Sequence, residues 1–398
     1  MKQLTLRAVI MGAFLGGFMS LSNLYIGLKT GWGLGVAITA CILSYTIWKT
    51  LRTLLPFIFK SDMTILENNC MQSTASSAGY STGGTMVSAI SAYLIITGTH
   101  MSWTVLTLWT IFLAALGVFI AIPMKRQMIN IEQLKFPSGI AAAETLKSLH
   151  SKGAEAADKA RATGESDITP IGAMGKITQL TFGILAPTNM TTNLMTASVT
   201  AGAAGSTADL LTDLKSGYLL GANPRQQFIA QFCGIFAGTL IVVPAFYILV
   251  PDASVLGSNQ WPAPSAQVWA AVAKLLSNGV HSLHPAARMG MIVGGIAGII
   301  IPILELIFPK RRKYIPSAMG LGLAMVIPFW NSLSMFLGGL IALILEKKNK
   351  AVAEKYIIPV SSGIIAGESL MGVAIALSDA RGMFTAFFAP LKAFLRMH

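Results

Sequence analysis

Apolar runs of nearly the length of a membrane-spanning helix recur along this chain and constrain its fold more than any other feature. Four of them begin near Ala8, Trp103, Gln227 and Met289, and further runs begin near Gly33, Thr85 and Tyr356. A helix needs about 20 mainly apolar residues to cross the hydrocarbon core of a bilayer. Only 11% of the 398 residues are charged, whereas soluble domains carry about 25%. We therefore predict an all-α, polytopic membrane bundle of about eight to ten segments, some of them discontinuous or re-entrant.

The positive charges lie in short clusters at the ends of the apolar runs. The net charge is +13, and the cluster at residues 310–313 reads KRRK. Lys and Arg concentrate in cytoplasmic loops that face anionic lipid, so this pattern favours a lipid surface over a nucleic acid as partner. Lys2 and Arg7 precede the first run, and only Lys29 follows it. The alternation predicts a plasma or inner membrane protein with a cytoplasmic N-terminus.

A polar segment divides the chain into two membrane parts. Residues 151–167 are charged, rich in Ala and free of large apolar side chains, which predicts a cytoplasmic loop. Membrane helices are expected in residues 1–150 and 168–398. The long run from Ile315 to Leu345 is interrupted at IPFWNS and has positive clusters at both ends, which indicates a hairpin or re-entrant pair.

The most polar unbroken run, ENNCMQSTASSAGYSTGG, extends from Glu67 to Gly84 between apolar segments. Small polar residues at membrane depth form either a close helix interface or an unwound segment beside a watery path. An ionisable residue there costs about 2.5–3.5 kcal/mol and often marks a substrate or proton path, although Glu67 could also lie in water at the membrane surface. Asn68 and Gln72 share a helix face, and their amides suit peptide-like groups.

A second charged segment, ADLLTDLKSGYLLGANPRQQF, lies between two apolar parts. Asp209 and Asp213 are four residues apart and share a helix face. One interpretation is a solvated cytoplasmic loop whose charges pair among themselves. The other is a gate or a contact for the charged end of a substrate, involving Lys215 and Arg225. Asn223-Pro224 predicts a turn before the next span.

Other motifs carry little functional weight. The G-x-S-x-G match around Ser81 has neither a preceding strand nor a nearby His, so we predict no enzyme. The HSLHP sequence at residues 281–285 has no acidic or Cys partner nearby, and we predict no metal site and no cofactor. The three Cys residues are far apart and are expected to be buried thiols.

Several long motifs together resemble the oligopeptide transporter family, which includes the yellow-stripe-like carriers of metal chelates. They are NLYIGLKTGW, ENNCMQSTASSAGY, KRQMINIEQLKFPSGIAAAETLK, DLLTDLKSGYLLGANPRQQFIAQ, IPSAMGLGLA and GIIAGESLMG. The resemblance implies an all-helical fold of two related halves and proton-driven uptake of small peptides or peptide-like metal chelates. In one respect the chain departs from the family: AAAETLKSLH continues through a short polar loop into ITPIGAMGKITQL, as in a short form that lacks a central block.

The resemblance and the residues together give a set of candidate site positions. We expect substrate contacts from Asn68, Gln72, Tyr80, Lys215 and Arg225, and proton handling by Glu67, Asp213 and Glu368. The expected mechanism is alternating access, and a homo-oligomer is a possible assembly. The alternatives are a membrane scaffold or partial subunit that does not transport, and a passive channel.

Overall fold

The computed structural model describes residues 2–31, 33, 35–57, 59–134, 136–150, 171–279, 284–308, 314–326 and 329–353, with positions 356–357, 360–361, 364 and 371. The chain divides into two compact units, Met1–Lys274 with Ile358–His398 and Leu275–Ile357. The predicted loop at residues 151–167, His281 and Glu368 lie outside the described residues.

Thirteen α-helices are described, and no β-strand occurs in the same residues. In the first unit they are α1 Leu6–Thr30, α2 Ala37–Leu54, α3 Ile65–Ser76, α4 Ser91–Thr97, α5 Trp103–Lys125, α6 Pro137–His150, α7 Ile171–Leu185, α8 Met190–Leu220, α9 Pro224–Leu249 and α10 Pro264–Asn278. The second unit contains α11 Pro285–Ile307, α12 Ala318–Val326 and α13 Phe329–Lys348. Three π-helical segments are called π1 (Ser77–Ser81), π2 (Met86–Ile90) and π3 (Arg126–Ile131).

Four of these helices are long and apolar enough to cross a bilayer: Leu6–Thr30, Trp103–Ile131, Pro224–Leu249 and Pro285–Ile307. They correspond to four of the apolar runs of the sequence. The prediction of an all-α membrane protein is confirmed. The larger predicted number of segments and the re-entrant hairpin remain predictions, because the break at residues 327–328 lies outside the described part of the chain.

The packing of the first unit rests on α1, α3 and α9, whose backbones approach one another closely. A Cβ atom on Gly16 of α1 would lie 2.6 Å from the carbonyl oxygen of Ala75. On α9, a Cβ on Gly234 or Gly238 would collide with the backbone of Thr74 or Ala78. Small residues that let helix backbones touch are the usual basis of helix association in membranes.

The interpretation of the DLLTDLKSGYLL segment as a solvated loop is wrong. Helix α8 is continuous from Met190 to Leu220, and Asp213 and Lys215 are buried within it. The predicted turn at Asn223-Pro224 is present: Asn223 caps α9 by accepting a hydrogen bond from the backbone N–H of Arg225, and Pro224 is the first helical residue. Proline is favoured at that position because it has no N–H to satisfy.

Candidate functional site

The polar stretch is helical at its start and lies at the centre of the first unit. Thr64 begins α3 with a capping box, in which its hydroxyl and the Glu67 side chain each bond the other's backbone N–H. Every residue from Glu67 to Gly79 is buried. The first half of the stretch therefore forms the close helix interface that was one of its two predicted uses.

The second half of the stretch has a different backbone. After π1, turns at residues 82–85 precede π2, and Gly84 is exposed. A Cβ atom on Gly84 would have no heavy atom nearer than 3.9 Å. Tyr80 and Ser81 are partly exposed. In this break, residues 82–85, Gly84 is exposed whereas Thr82, Gly83 and Thr85 are buried, so exposure in the second half is confined to Gly84 and, in part, to Tyr80 and Ser81. Pi-helical turns are rare and frequently occur at functional sites.

Glu67 does not lie in water at the membrane surface, because its side chain is fully buried and forms an ion pair with Arg7. The Arg7 guanidinium donates to both carboxylate oxygens, at 2.9 Å to Oε1 and 2.7 Å to Oε2. The Thr5 hydroxyl and the Thr64 backbone N–H donate to the same carboxylate. Because Arg7 is on α1 and Glu67 is on α3, this bidentate, charge-assisted bonding holds the first turns of the two helices together.

Three amides of α3 contact three different partners. Asn68 accepts a hydrogen bond of 2.7 Å from Ser44 of α2. Asn69 accepts one of 2.9 Å from Ser216 of α8. Gln72 donates to Oδ1 of Asp213 on α8. The structure thus brings together two predicted site residues, Gln72 and Asp213, that lie 141 positions apart in the sequence.

Asp209 lies one helical turn before Asp213 and is bonded to both halves of the polar stretch. Its carboxylate accepts hydrogen bonds from Ser76 at 2.6 Å and from Ser81 at 3.0 Å. Gln231 of α9 donates a third at 2.9 Å. Asp209 is partly exposed, whereas only 1% of the Asp213 surface is exposed. The two aspartates therefore differ in both hydrogen bonding and accessibility.

Two glutamines of α9 belong to this site and were not predicted from the sequence. Gln227 is buried and donates to the hydroxyl of Ser73 at 3.0 Å, and Gln231 bonds Asp209. They are four residues apart and so share a helix face. Two glutamines at that spacing within an otherwise apolar span were the signal that could have identified them.

The predicted basic residues do not contact these carboxylates. The Lys215 ammonium is buried and lies 5.8 Å from the ring centre of Tyr218, within the range of a cation–π contact. Arg225 is exposed in the first turn of α9.

Ser81 of the G-x-S-x-G motif is described, whereas most of the HSLHP motif lies outside the described residues. Ser81 donates its hydroxyl to Asp209 and lies in a π-helix, not at a strand-to-helix turn. Among the described residues, no group of three or more His, Cys, Asp or Glu side chains is arranged to hold a metal ion.

The long apolar helices and this buried polar centre define a multi-pass membrane protein. The sequence profile described as OPT oligopeptide transporter protein matches residues 3–162 and 157–378, and the chain belongs to that family. The resemblance found in the motifs is therefore confirmed, and the family is one of transporters, not of enzymes.

Curated relatives match about half of the chain. A Saccharomyces cerevisiae protein named for oligopeptide transport, YGL114W, is 31% identical over 226 residues, which are 54% of this chain and 30% of the yeast protein. Two Oryza sativa subsp. japonica proteins named as probable metal-nicotianamine transporters, YSL13 and YSL14, are 27% and 30% identical over 52% of this chain and 29% of their own lengths. The matched region thus spans less than a third of each relative.

Proposed function

We propose that this chain is, or forms part of, a secondary active carrier for oligopeptides or peptide-like metal chelates that couples uptake to protons. The observation that carries the proposal is the buried Gln72–Asp213 contact, which joins two of the family motifs inside the membrane bundle. Intramembrane ionisable groups are expensive and usually serve a substrate or proton path. The names of the matched relatives support the substrate class.

The proposed substrate contacts are those predicted from the sequence. Asn68, Gln72 and Tyr80 would meet peptide-like groups, while Lys215 and Arg225 would meet a carboxylate or hold a gate. Asp213, Glu67 and Glu368 are the proposed proton-handling groups. Of the two that the structure describes, Asp213 suits the role better, because Glu67 is held by four donor groups on both of its oxygens.

The proposed orientation explains how the site would be reached. With a cytoplasmic N-terminus in the plasma or inner membrane, the Arg7–Glu67 pair lies towards the cytoplasm, as does the end of α8, where Asn223 bonds Gln3. The sealed first half of the polar stretch would then close the cytoplasmic side, and the exposed Gly84 with the partly exposed Tyr80 and Ser81 would face the outside. A conformer closed on one side and open on the other is what alternating access requires.

Uptake by the purified full chain in proteoliposomes tests this function. We expect labelled peptide or metal chelate to accumulate above its outside concentration when the outside is more acidic, and a protonophore to abolish accumulation. Gln72→Ala should reduce the rate strongly, since it removes a donor from the site. The matched control is Gln260→Ala, in an exposed loop. Accumulation that ignores the pH gradient would reject proton coupling, and uptake without accumulation would indicate a channel.

One observation favours a second candidate, a subunit that does not transport by itself. The matched region covers only about 30% of the relatives' length, and the first half of the polar stretch is closely packed. This candidate predicts neither uptake nor a substrate-dependent shift in the melting temperature of the isolated chain. It also predicts that both appear when a partner chain is reconstituted with it.

A further inference from the structure

Neither aspartate of α8 has a cationic partner among the described residues. The ion pairs found there are Arg7–Glu67, Arg52–Asp62 and Lys147–Glu144, and neither Asp209 nor Asp213 takes part in one. Bringing two ionised carboxylates into a membrane interior without neutralisation is costly. A proton bound to one of the two carboxylates would remove one of these charges.

Hydrogen bonding distinguishes the two carboxyl groups. Asp209 accepts three hydrogen bonds, which together engage both of its oxygens, as suits an ionised carboxylate. Asp213 accepts a hydrogen bond at Oδ1 from Gln72 and interacts with the Ser73 hydroxyl, but its Oδ2 has no well-formed hydrogen bond among the described residues. Asp209 is thus better equipped than Asp213 to stay ionised.

Several buried acceptor oxygens around the pair have no well-placed hydrogen-bond donor among the described residues. Gln72 and Gln231 are fully buried and use their NH₂ groups on the two aspartates. The carbonyl oxygens of both glutamines, like Oδ2 of Asp213, accept no well-formed hydrogen bond in the described part of the chain. Leaving a buried acceptor unpaired costs about 1–3 kcal/mol. A proton on Asp213 converts one of these acceptors into a donor and removes one negative charge.

We propose that Asp209 and Asp213 form a two-carboxylate proton site, in which Asp213 holds the proton and Asp209 is its ionised partner on the accessible side. Only the coupling of this proton to substrate uptake rests on the proposed function. A proton arriving from water forms an O–H bond at Asp213, and no other covalent bond changes. Two ionised carboxylates one turn apart repel each other, so binding of the first proton is favourable. That repulsion is gone once one carboxylate is neutral, so binding of a second proton is not favoured in the same way.

Asp209 also links the proton site to the irregular part of the polar stretch. Ser76 at the end of α3 and Ser81 at the end of π1 both donate to it. Because these bonds are strongest to an ionised carboxylate, the charge on Asp209 holds the residues on either side of π1 in place.

Other titratable groups of the described residues do not neutralise the pair. The buried thiols of Cys41 on α2 and Cys70 on α3 are neutral at pH 7 and carry no charge that could pair with either aspartate. Other charged side chains on elements packed against α8 make no hydrogen bond or ion pair to either aspartate in the described structure: Glu67, Lys125, Arg126, Glu144, Lys147, Lys176 and Arg225. On α8 itself, Lys215 lies over Tyr218.

Infrared difference spectroscopy of the full chain in lipid, titrated with pH and without substrate, tests the proposal directly. We expect a carbonyl stretching band of a protonated carboxylic acid that persists at pH 7 and is lost in Asp213→Asn. Asp209→Asn should keep the band but change the pH at which it disappears. The matched control is Asp252→Asn, an exposed loop carboxylate whose hydrogen bond to Ser254 an Asn oxygen can also accept, and it should leave the titration unchanged.

A second measurement on the wild-type chain covers the case in which Asp213→Asn does not fold. Dicyclohexylcarbodiimide reacts with protonated carboxyl groups in apolar surroundings, and peptide mass spectrometry locates the adduct. We expect the adduct on Asp213 and not on Asp252, with a yield that falls as pH rises. No adduct on Asp213, or a band that disappears on adding Na⁺ at constant pH, would overturn the proton site. A site that titrates while uptake ignores pH would instead reject only the coupling in the proposed function.

Discussion

The two halves of the polar stretch from Glu67 to Gly84 have similar small, polar composition but opposite surroundings. In the first half, glycines of α1 and α9 pack directly against the backbone of α3, and every side chain is buried. In the second, residues 80–84, the helix breaks after π1 and Gly84 is exposed with Tyr80 and Ser81 partly exposed, while Thr82 stays buried against α9. Small polar residues thus allow either close packing or an opening, and the neighbouring helices decide which one forms.

Removing the ion pair at the start of the sealed half should have the largest effect on stability. In Arg7→Ala the buried Glu67 carboxylate loses its charged partner, and breaking a buried pair in this way costs about 3–5 kcal/mol. We expect a value near the lower limit, because the Arg7 side chain is 28% exposed.

The control for that change is Arg52→Ala, which breaks the exposed pair with Asp62 and should cost about 0–1 kcal/mol. Both variants are compared by thermal unfolding in the same detergent. If the two variants had equal melting temperatures, the Arg7–Glu67 ion pair would not stabilise the sealed first half.

Adding one methyl group to the glycine contact should have the next largest effect. A Cβ on Gly16 would lie 2.6 Å from both the Ala75 carbonyl oxygen and the Ala78 Cβ, so Gly16→Ala must push α1 from α3. Overpacking of this kind costs about 1–3 kcal/mol. Gly294→Ala on α11, where nothing lies within 4 Å of the new atom, should be neutral or stabilising. A neutral Gly16→Ala would mean that the first half is loosely packed.

Removing the cap of α3 should have the smallest effect. The Thr64 hydroxyl accepts from the backbone N–H of Glu67 at 3.1 Å, so Thr64→Ala should cost about 1 kcal/mol. Ser102 precedes α5 without a side-chain capping bond, and Ser102→Ala should therefore leave the melting temperature almost unchanged. If the two substitutions had equal effects, the capping box would not stabilise the start of the stretch.

Sequence patterns predict the features that depend on local chemistry. Four of the apolar runs located the four long helices, and Asn223-Pro224 located the start of α9. The π segments were not predicted, because a π turn uses the same small residues as an ordinary helix. Nor could spacing reveal that Gln72 faces Asp213 while Asn68 faces Ser44, since that depends on which helices become neighbours.

The central claim is that water reaches the second half of the polar stretch and not the first. In a chain whose native Cys residues are replaced, Gly84→Cys and Ser73→Cys are each treated with a membrane-impermeant maleimide in lipid vesicles without substrate. We expect the cysteine at position 84 to be labelled from the outside and the cysteine at position 73 to remain unlabelled. Labelling at position 73 would contradict this claim. So would the absence of labelling at position 84, because Gly84 would then face lipid instead of water.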